Sequence, residues 1–383
     1  MIDAGTILTP QNKFSPGRLL IEGASISAVG PSESVPTPAD AGRIDASELI
    51  VTPGFIDPHI HGCGGVDVMD GTYDALNAVS RILVRHGTTS FLPTTVSAPP
   101  DVLTRAVAQL GQAISKSFDG AEPLGIHLEG PFINAAKRGT HKASNVQAPN
   151  LDLFEKFVVG SGHTVRLLTI APELEGIDAL LRYAKHLGVH VAMGHSNATF
   201  DEAKVAVARG VCYAVHTFNA MRAFSHRDPG IVGEVLADDR VFAEVIADGI
   251  HVHEDVIRVF ARAKGKSRVL LVTDGISATD MPDGRYGLGS DFVDVVNGIC
   301  RDAEGRLAGS TLTQEVALRN FVHWTGWPFE DTLLGLTLNP ATALKLEKKG
   351  VLEPGADADI TMLDRNFRVM KTLVAGRLVF SRE

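Results

Sequence analysis

Cysteine is scarce in this 383-residue chain: Cys63, Cys212 and Cys300 are odd in number and far apart. That excludes a disulfide framework and any Cys-x-x-Cys zinc module, and it suits a reducing compartment. Cys63 lies two residues beyond His61 and is read as a small packing residue rather than a ligand. No apolar run reaches the eighteen or so residues of a membrane span, and no charged head followed by a long apolar stretch opens the chain. The expectation is a soluble, cytoplasmic protein with no membrane partner. Positive charge is also in deficit. Lys and Arg total 36 against 45 Asp and Glu, a formal net charge of -9, which argues against nucleic acid as a partner. There is no P-loop, no dinucleotide-binding glycine fingerprint, no low-complexity run and no repeat.

What remains is an ordinary globular composition, 44% hydrophobic and 21% charged, in a chain long enough for one large domain and an accessory one. The first fifty residues alternate short apolar segments with turns (Thr6 to Leu8, Arg18 to Gly23, Ser25 to Gly30), followed by a Pro- and Ser-rich loop from Pro31 to Asp40. Strand-like composition of this kind returns only at Ala358 to Leu363 and Val369 to Phe380. Neither group could bury a sheet face alone, so residues 1–50 and 350–383 are expected to combine into one small β-sandwich domain. Residues 51–349 would be inserted between its halves. There the pattern becomes strands (52–59, 89–95, 124–129, 166–171, 189–195, 213–218, 242–247, 269–274) alternating with helices (73–86, 101–117, 176–187, 199–209, 253–264, 312–324). Eight strands in α/β alternation predict a TIM-like (β/α)8 barrel, with a long excursion over 275–309.

Val51 to Gly62 ends in His59-Ile60-His61, and alternation along a strand puts both imidazoles on one face. Alone, that pair is a weak signal. Glu129, His195, His216 and Asp274 each end another apolar run, and side chains of this kind at strand ends are what a metal centre at the mouth of such a barrel requires. A divalent ion with an open position lowers the pKa of bound water and polarises a carbonyl, which favours hydrolysis. Asp274 precedes Gly275 and reads either as the acid/base of that chemistry or as a turn residue.

These residues carry a resemblance. Pro53 to Gly62, His127 to Phe132, Arg138 to His141, Ala171-Pro172-Glu173, Gly194 to Thr199, His216 to Met221, Ala247 to His251, Val272 to Gly275, Ala308-Gly309-Ser310 and Asn339-Pro340-Ala341 resemble, in order, the motifs of the N-acetylglucosamine-6-phosphate deacetylases of the amidohydrolase superfamily. The resemblance implies Glu129, His195 and His216 as principal metal ligands and Asp274 as the acid/base. With both His59 and His61 present it allows a second ion, so one or two divalent metals per subunit are expected, zinc first, with iron, manganese or cobalt as alternatives. The resemblance also gives His141 to the sugar and the acetamido carbonyl, with Thr140 beside it. It gives Asn219, Ala220, Arg227 and His251 to the sugar phosphate, Arg227 reaching in from the second subunit of a homodimer. Ala308, Gly309 and Ser310 would close over the sugar. Apart from the resemblance, His127 is expected to serve packing and hydrogen bonding alone, and Trp324 and Trp327 to be core or interface aromatics rather than sugar-stacking platforms.

Overall fold

The computed structural model describes residues 1–382. Its centre is a parallel barrel of eight strands: Phe55–Ile60, Thr88–Thr95, Ile126–Glu129, Val165–Ile170, His190–Met193, Tyr213–Ala214, Phe242–Ile246 and Val269–Val272. Each pairs in parallel with the next. The ring closes between the eighth strand and the first at one bridge, Ile60 with Gly275. There the Asp274 N–H donates to the His59 carbonyl at 2.9 Å and the His61 N–H to the Gly275 carbonyl at 2.7 Å.

Because side chains alternate along each strand, the lumen is stratified. Leu92, Leu167, Ala192, Tyr213, Phe242 and Leu270 form an apolar cluster with Ala343 and Leu344. Hydrogen-bonded polar groups share the same interior: His127 accepts the Thr169 hydroxyl at Nε2, 2.8 Å away, and donates from Nδ1 to the Pro58 carbonyl at 3.2 Å. A larger apolar layer packs the outer faces of the strands against helices such as Tyr73–Leu83, Pro100–Ile114 and Glu254–Lys264. Among the described residues, no helix is long and apolar enough to cross a membrane.

The chain ends form a separate eight-stranded sheet, mixed in direction, in the order Arg377–Ser381, Val369–Val374, Ile360–Leu363, Ile44–Pro53, Ile2–Leu8, Gly17–Glu22 and Ser25–Pro31, with Lys13–Phe14 paired to Ile2–Leu8. Ile44–Pro53 runs parallel to Ile2–Leu8 and antiparallel to Ile360–Leu363, so the two termini share one ladder. Ile2, Ile7, Val51, Ile360 and Met362 are buried together beneath it. This strand continues to Pro53, three residues past the expected change at 50, because Thr52 still pairs with Thr361.

Four helices were not expected from the sequence: Leu151–Gly160, Gly230–Ala237 and the short Phe329–Leu333 and Leu338–Ala343. Leu151–Gly160 is started by Asn150, whose side chain accepts the Leu153 N–H at 2.9 Å. Gly230–Ala237 is apolar on nearly every side and buried from Gly230 to Val235, so it has no amphipathic period to read. The excursion after Asp274 contains a three-stranded antiparallel ribbon, Gly284–Leu288, Asp291–Val296 and Ile299–Arg301. Its tip is held by the Gly289 N–H on Asp67, 2.7 Å, and by Lys142 on Asp291, 2.8 Å.

Lys349 joins the two sheets. Its ammonium lies 2.7 Å from Glu122 beside the barrel and 2.7 Å from Asp359 of the terminal sheet. Burial would lower its pKa, but these carboxylates outweigh that and raise it above the usual lysine range. Lys349→Ala leaves Asp359 buried without a cation. Urea unfolding should show a loss of about 3 kcal/mol or more, whereas a loss below about 1 kcal/mol, typical of an exposed ion pair, would contradict this account.

Candidate metal centre

Glu129 ends the third barrel strand, and its two oxygens are the meeting point of the site. His195 Nε2 lies 3.1 Å and His216 Nε2 3.0 Å from Oε1, while His61 Nε2 lies 3.4 Å and His141 Nε2 3.3 Å from Oε2. His59 Nε2 is 3.3 Å from Oε1 and 3.6 Å from Asp274 Oδ1, which is itself 3.2 Å from His61 Nε2. Three overlapping groups could therefore hold an ion: His59 with Glu129 and His216, His59 with His61 and Asp274, and Glu129 with His141 and His195.

The far side of each ring decides what its near side offers. His59 Nδ1 faces Glu244 at 2.9 Å, His61 Nδ1 the Thr94 carbonyl at 3.1 Å and His195 Nδ1 the Lys137 carbonyl at 3.0 Å. Those oxygens only accept, so each Nδ1 carries a proton, and in the neutral ring Nε2 is the nitrogen whose lone pair faces inward. His141 is reversed. Its Nδ1 accepts the Ser97 N–H at 3.0 Å, so its Nε2 carries the proton and is a donor into the site. Burial pushes His195 down to about 4, so at neutral pH no proton fills the space between its lone pair and Glu129. Burial pushes Glu129 the other way, but His59 and His195 outweigh it and keep the carboxyl well below the usual range. A buried carboxylate faced by several imidazole nitrogens fits a divalent cation by its donor set.

Backbone conformation helps aim these groups. His195, His216 and Asp274, each two residues beyond its strand, have φ of 46°, 28° and 48°, a left-handed region that ordinary residues avoid. Asp274 is pushed up by burial, yet His59 and His61 prevail and hold it ionised. Asp57, wholly buried under the seam, is pushed up to about 6 by burial although the Thr273 hydroxyl donates to it at 2.6 Å.

A cavity of about 240 Å³ opens over the cluster. It is lined by His61, Glu129, Thr140, His141, His195, His216, Asn219, Ala220, His251, Asp274 and Gly309, together with Val96, Leu288 and Leu307, which the sequence reading did not single out. Burial lowers the pKa of His251, but Asp248, 2.6 Å from its Nδ1, outweighs that and raises it, favouring the charged ring. Asn219 is half-buried and donates from its side chain to the His216 carbonyl at 3.3 Å. His59 lies beneath the cavity, fully buried.

Three expected residues are elsewhere. Ala308 is buried among Ile276, Val293, Val295 and Cys300 instead of lining the cavity. The Ser310 hydroxyl donates to the Thr273 carbonyl and accepts the Leu312 N–H, so it fixes the loop and has no reach toward a sugar. Arg227 is exposed in the loop that follows Met221 and does not line the cavity of its own chain. The sequence reading also missed Glu244 and Asp57, although a lone carboxylate within an apolar strand was there to be noticed in Phe242–Ile246.

The model of the amidohydrolase family matches residues 50–379. The chain belongs to the amidohydrolase family. Its members are metal-dependent hydrolases, in keeping with the donor set described here. The N-acetylglucosamine-6-phosphate deacetylase of Vibrio furnissii is 39% identical over 360 residues, covering 94% of this chain and 89% of that protein. The N-acetylgalactosamine-6-phosphate deacetylase of Escherichia coli O157:H7 is 35% identical, covering 99% and 98%. A mutant N-acetyl-D-glucosamine-6-phosphate deacetylase from Mycobacterium smegmatis, solved in complex with N-acetyl-D-glucosamine-6-phosphate, superposes with a TM-score of 0.92 at 34% identity and covers 99% of both chains. This amidohydrolase is therefore a hydrolytic enzyme built on the barrel and small sheet that the sequence led us to expect.

Two measurements follow from the geometry. Chelator-treated protein should gain about 2.7 kcal/mol of stability when free Zn²⁺ is raised to a hundred times its Kd; an unchanged Tm in excess zinc would exclude the site. At Gly309, φ is 59° and an added Cβ would sit 2.3 Å from Ile276 Cγ2 and 3.0 Å from the Asp274 carbonyl. Gly309→Ala should lose about 1–3 kcal/mol in urea unfolding, and parental stability would show that the loop yields freely.

Proposed function

We propose that this amidohydrolase removes the acetyl group from N-acetylglucosamine 6-phosphate, giving glucosamine 6-phosphate and acetate for amino-sugar catabolism and recycling. The observation that carries this reading is that one cavity gathers Asp274, the inward N–H of His141 and a His251 that favours its charged form. The names of the full-length relatives support the choice of sugar.

Glu129, His195 and His216 would hold the principal ion, and His59 and His61 a second. Zinc is our first assignment, with iron, manganese and cobalt as alternatives, because a mixed oxygen and nitrogen donor set accepts several divalent ions. The ion, when bound, supplies a water of lowered pKa and polarises the acetamide carbonyl. Asp274, ionised at neutral pH, takes a proton from the attacking water as its oxygen bonds to the carbonyl carbon. His141 donates from Nε2 to the carbonyl oxygen as negative charge develops there. Asp274 then returns the proton to the nitrogen as the C–N bond breaks, leaving acetate and a free amine. Thr140 and Gly309 bound the sugar. Asn219, Ala220 and the charged ring of His251 receive the phosphate, joined by Arg227 of a second subunit in a cytoplasmic homodimer, where a guanidinium fork suits an anion.

A second reading, deacetylation of N-acetylgalactosamine 6-phosphate, is favoured by the relative of that name, which matches 99% of this chain. Acetate release from both N-acetylhexosamine 6-phosphates and from the unphosphorylated sugars discriminates. We expect the highest kcat/KM on the phosphorylated gluco compound; equal rates without phosphate would remove the phosphate site from the proposal. Asp274→Asn should keep its metal while kcat falls at least about 100-fold, and near-normal turnover would refute the acid/base role.

A further inference from the structure

Glu244 sits in the middle of the seventh barrel strand with no exposed surface. Among the described residues it has no Lys or Arg partner; its one ion-pair contact is with His59. Three donors hold its carboxylate. His59 Nδ1–H and the His216 backbone N–H both reach Oε2 at 2.9 Å, and the Tyr213 hydroxyl reaches Oε1 at 2.8 Å. Burying a carboxylate costs several kcal/mol that an apolar residue of the same volume would avoid, so filling space does not account for it.

We infer that Glu244 is a positioning residue: its carboxylate locks His59 in the Nδ1–H tautomer and in the ring orientation that turns Nε2 toward Glu129 and Asp274. The same oxygen pins the backbone of His216, which has a φ of 28°. One side chain thereby sets two candidate ligands on different strands, the first and the sixth. His59 has no other side-chain hydrogen bond among the described residues, and its Nε2 has none, so its ring depends on Glu244 for orientation. His216 differs, since Glu244 touches only its main chain.

The inference rests on the reading of His59 as a metal ligand. It is tested with Zn²⁺ alone, titrated into chelator-stripped parent protein and into Glu244→Ala, Glu244→Asp and Glu244→Gln, with thermal unfolding run on each. Gln keeps an oxygen that can accept from His59 and His216, and the Tyr213 hydroxyl can turn to accept from its amide. Ala removes the acceptor, and Asp keeps the charge but falls short by one methylene. Loss of such an outer partner lowers metal affinity by about 10–100-fold. We expect losses of that size in Ala and Asp, and a value within about threefold of the parent in Gln. Parental affinity in folded Ala or Asp would overturn the inference. So would an equal loss in Gln and Asp, which would give the effect to packing within the polar layer instead of aim. Should Ala not fold, the contrast between Asp and Gln still decides. A parent that takes up no zinc would instead overturn the ligand reading of His59, and this inference with it.

Discussion

Lone pairs that face one another inside a protein repel, and the site is organised around that fact. His59, His61 and His195 each donate an outward bond from Nδ1, to Glu244, to the Thr94 carbonyl and to the Lys137 carbonyl. Their remaining nitrogens face the oxygens of Glu129 across 3.1 to 3.4 Å. No Lys or Arg approaches within ion-pair distance of Glu129 among the described residues. The outward bonds aim the rings at the place where a cation would sit. His141 breaks the rule in a useful way, since it alone among these rings turns an N–H inward.

The scaffold supports this arrangement with strain and with closure. Four site residues other than glycine, His195, His216, Ala220 and Asp274, adopt left-handed backbone conformations, each carrying an energetic penalty of about 1–3 kcal/mol that the surroundings must offset. Part of the compensation is visible at the seam. The Asp274 N–H bonds the His59 carbonyl, and the Ser310 N–H in turn bonds the Asp274 carbonyl, so the residue is held from both sides. Below, the polar layer of His127, Thr169, Glu244 and Asp57 has its bonds made within the lumen, and the apolar floor beneath it keeps water from the underside.

How far the sequence revealed this depended on where a residue lies along its strand. Glu129, His195, His216 and Asp274 were legible because each ends an apolar run, and His59 and His61 because alternation puts them on one face. Glu244 and Asp57 lie inside their runs, where a polar side chain gives no hint of whether it points into the lumen or out. The helix Gly230–Ala237 escaped because burial on nearly all sides erases the 3.6-residue period. Strand Ile44–Pro53 leads almost directly into Phe55–Ile60, and no composition change marks the passage from one sheet to the other. Ser310 shares its motif with Gly309, but whether a hydroxyl turns to a ligand or to its own backbone is a matter of tertiary contact. Loop residue Arg227 is exposed, and nothing in its neighbours Ser225, His226 and Asp228 sets it apart from an ordinary surface loop.

The shared ladder of the two chain ends has a consequence for synthesis. Ile44–Pro53 pairs with Ile2–Leu8 on one edge and with Ile360–Leu363 on the other. During translation the second edge stays open until Ile360–Leu363 has emerged, more than 300 residues later in the numbering, and an open strand edge invites pairing with other nascent chains. A chain halted ahead of Ile360 would hold all eight barrel strands yet leave Ile44–Pro53 with one edge bare, which makes the growing chain prone to aggregation.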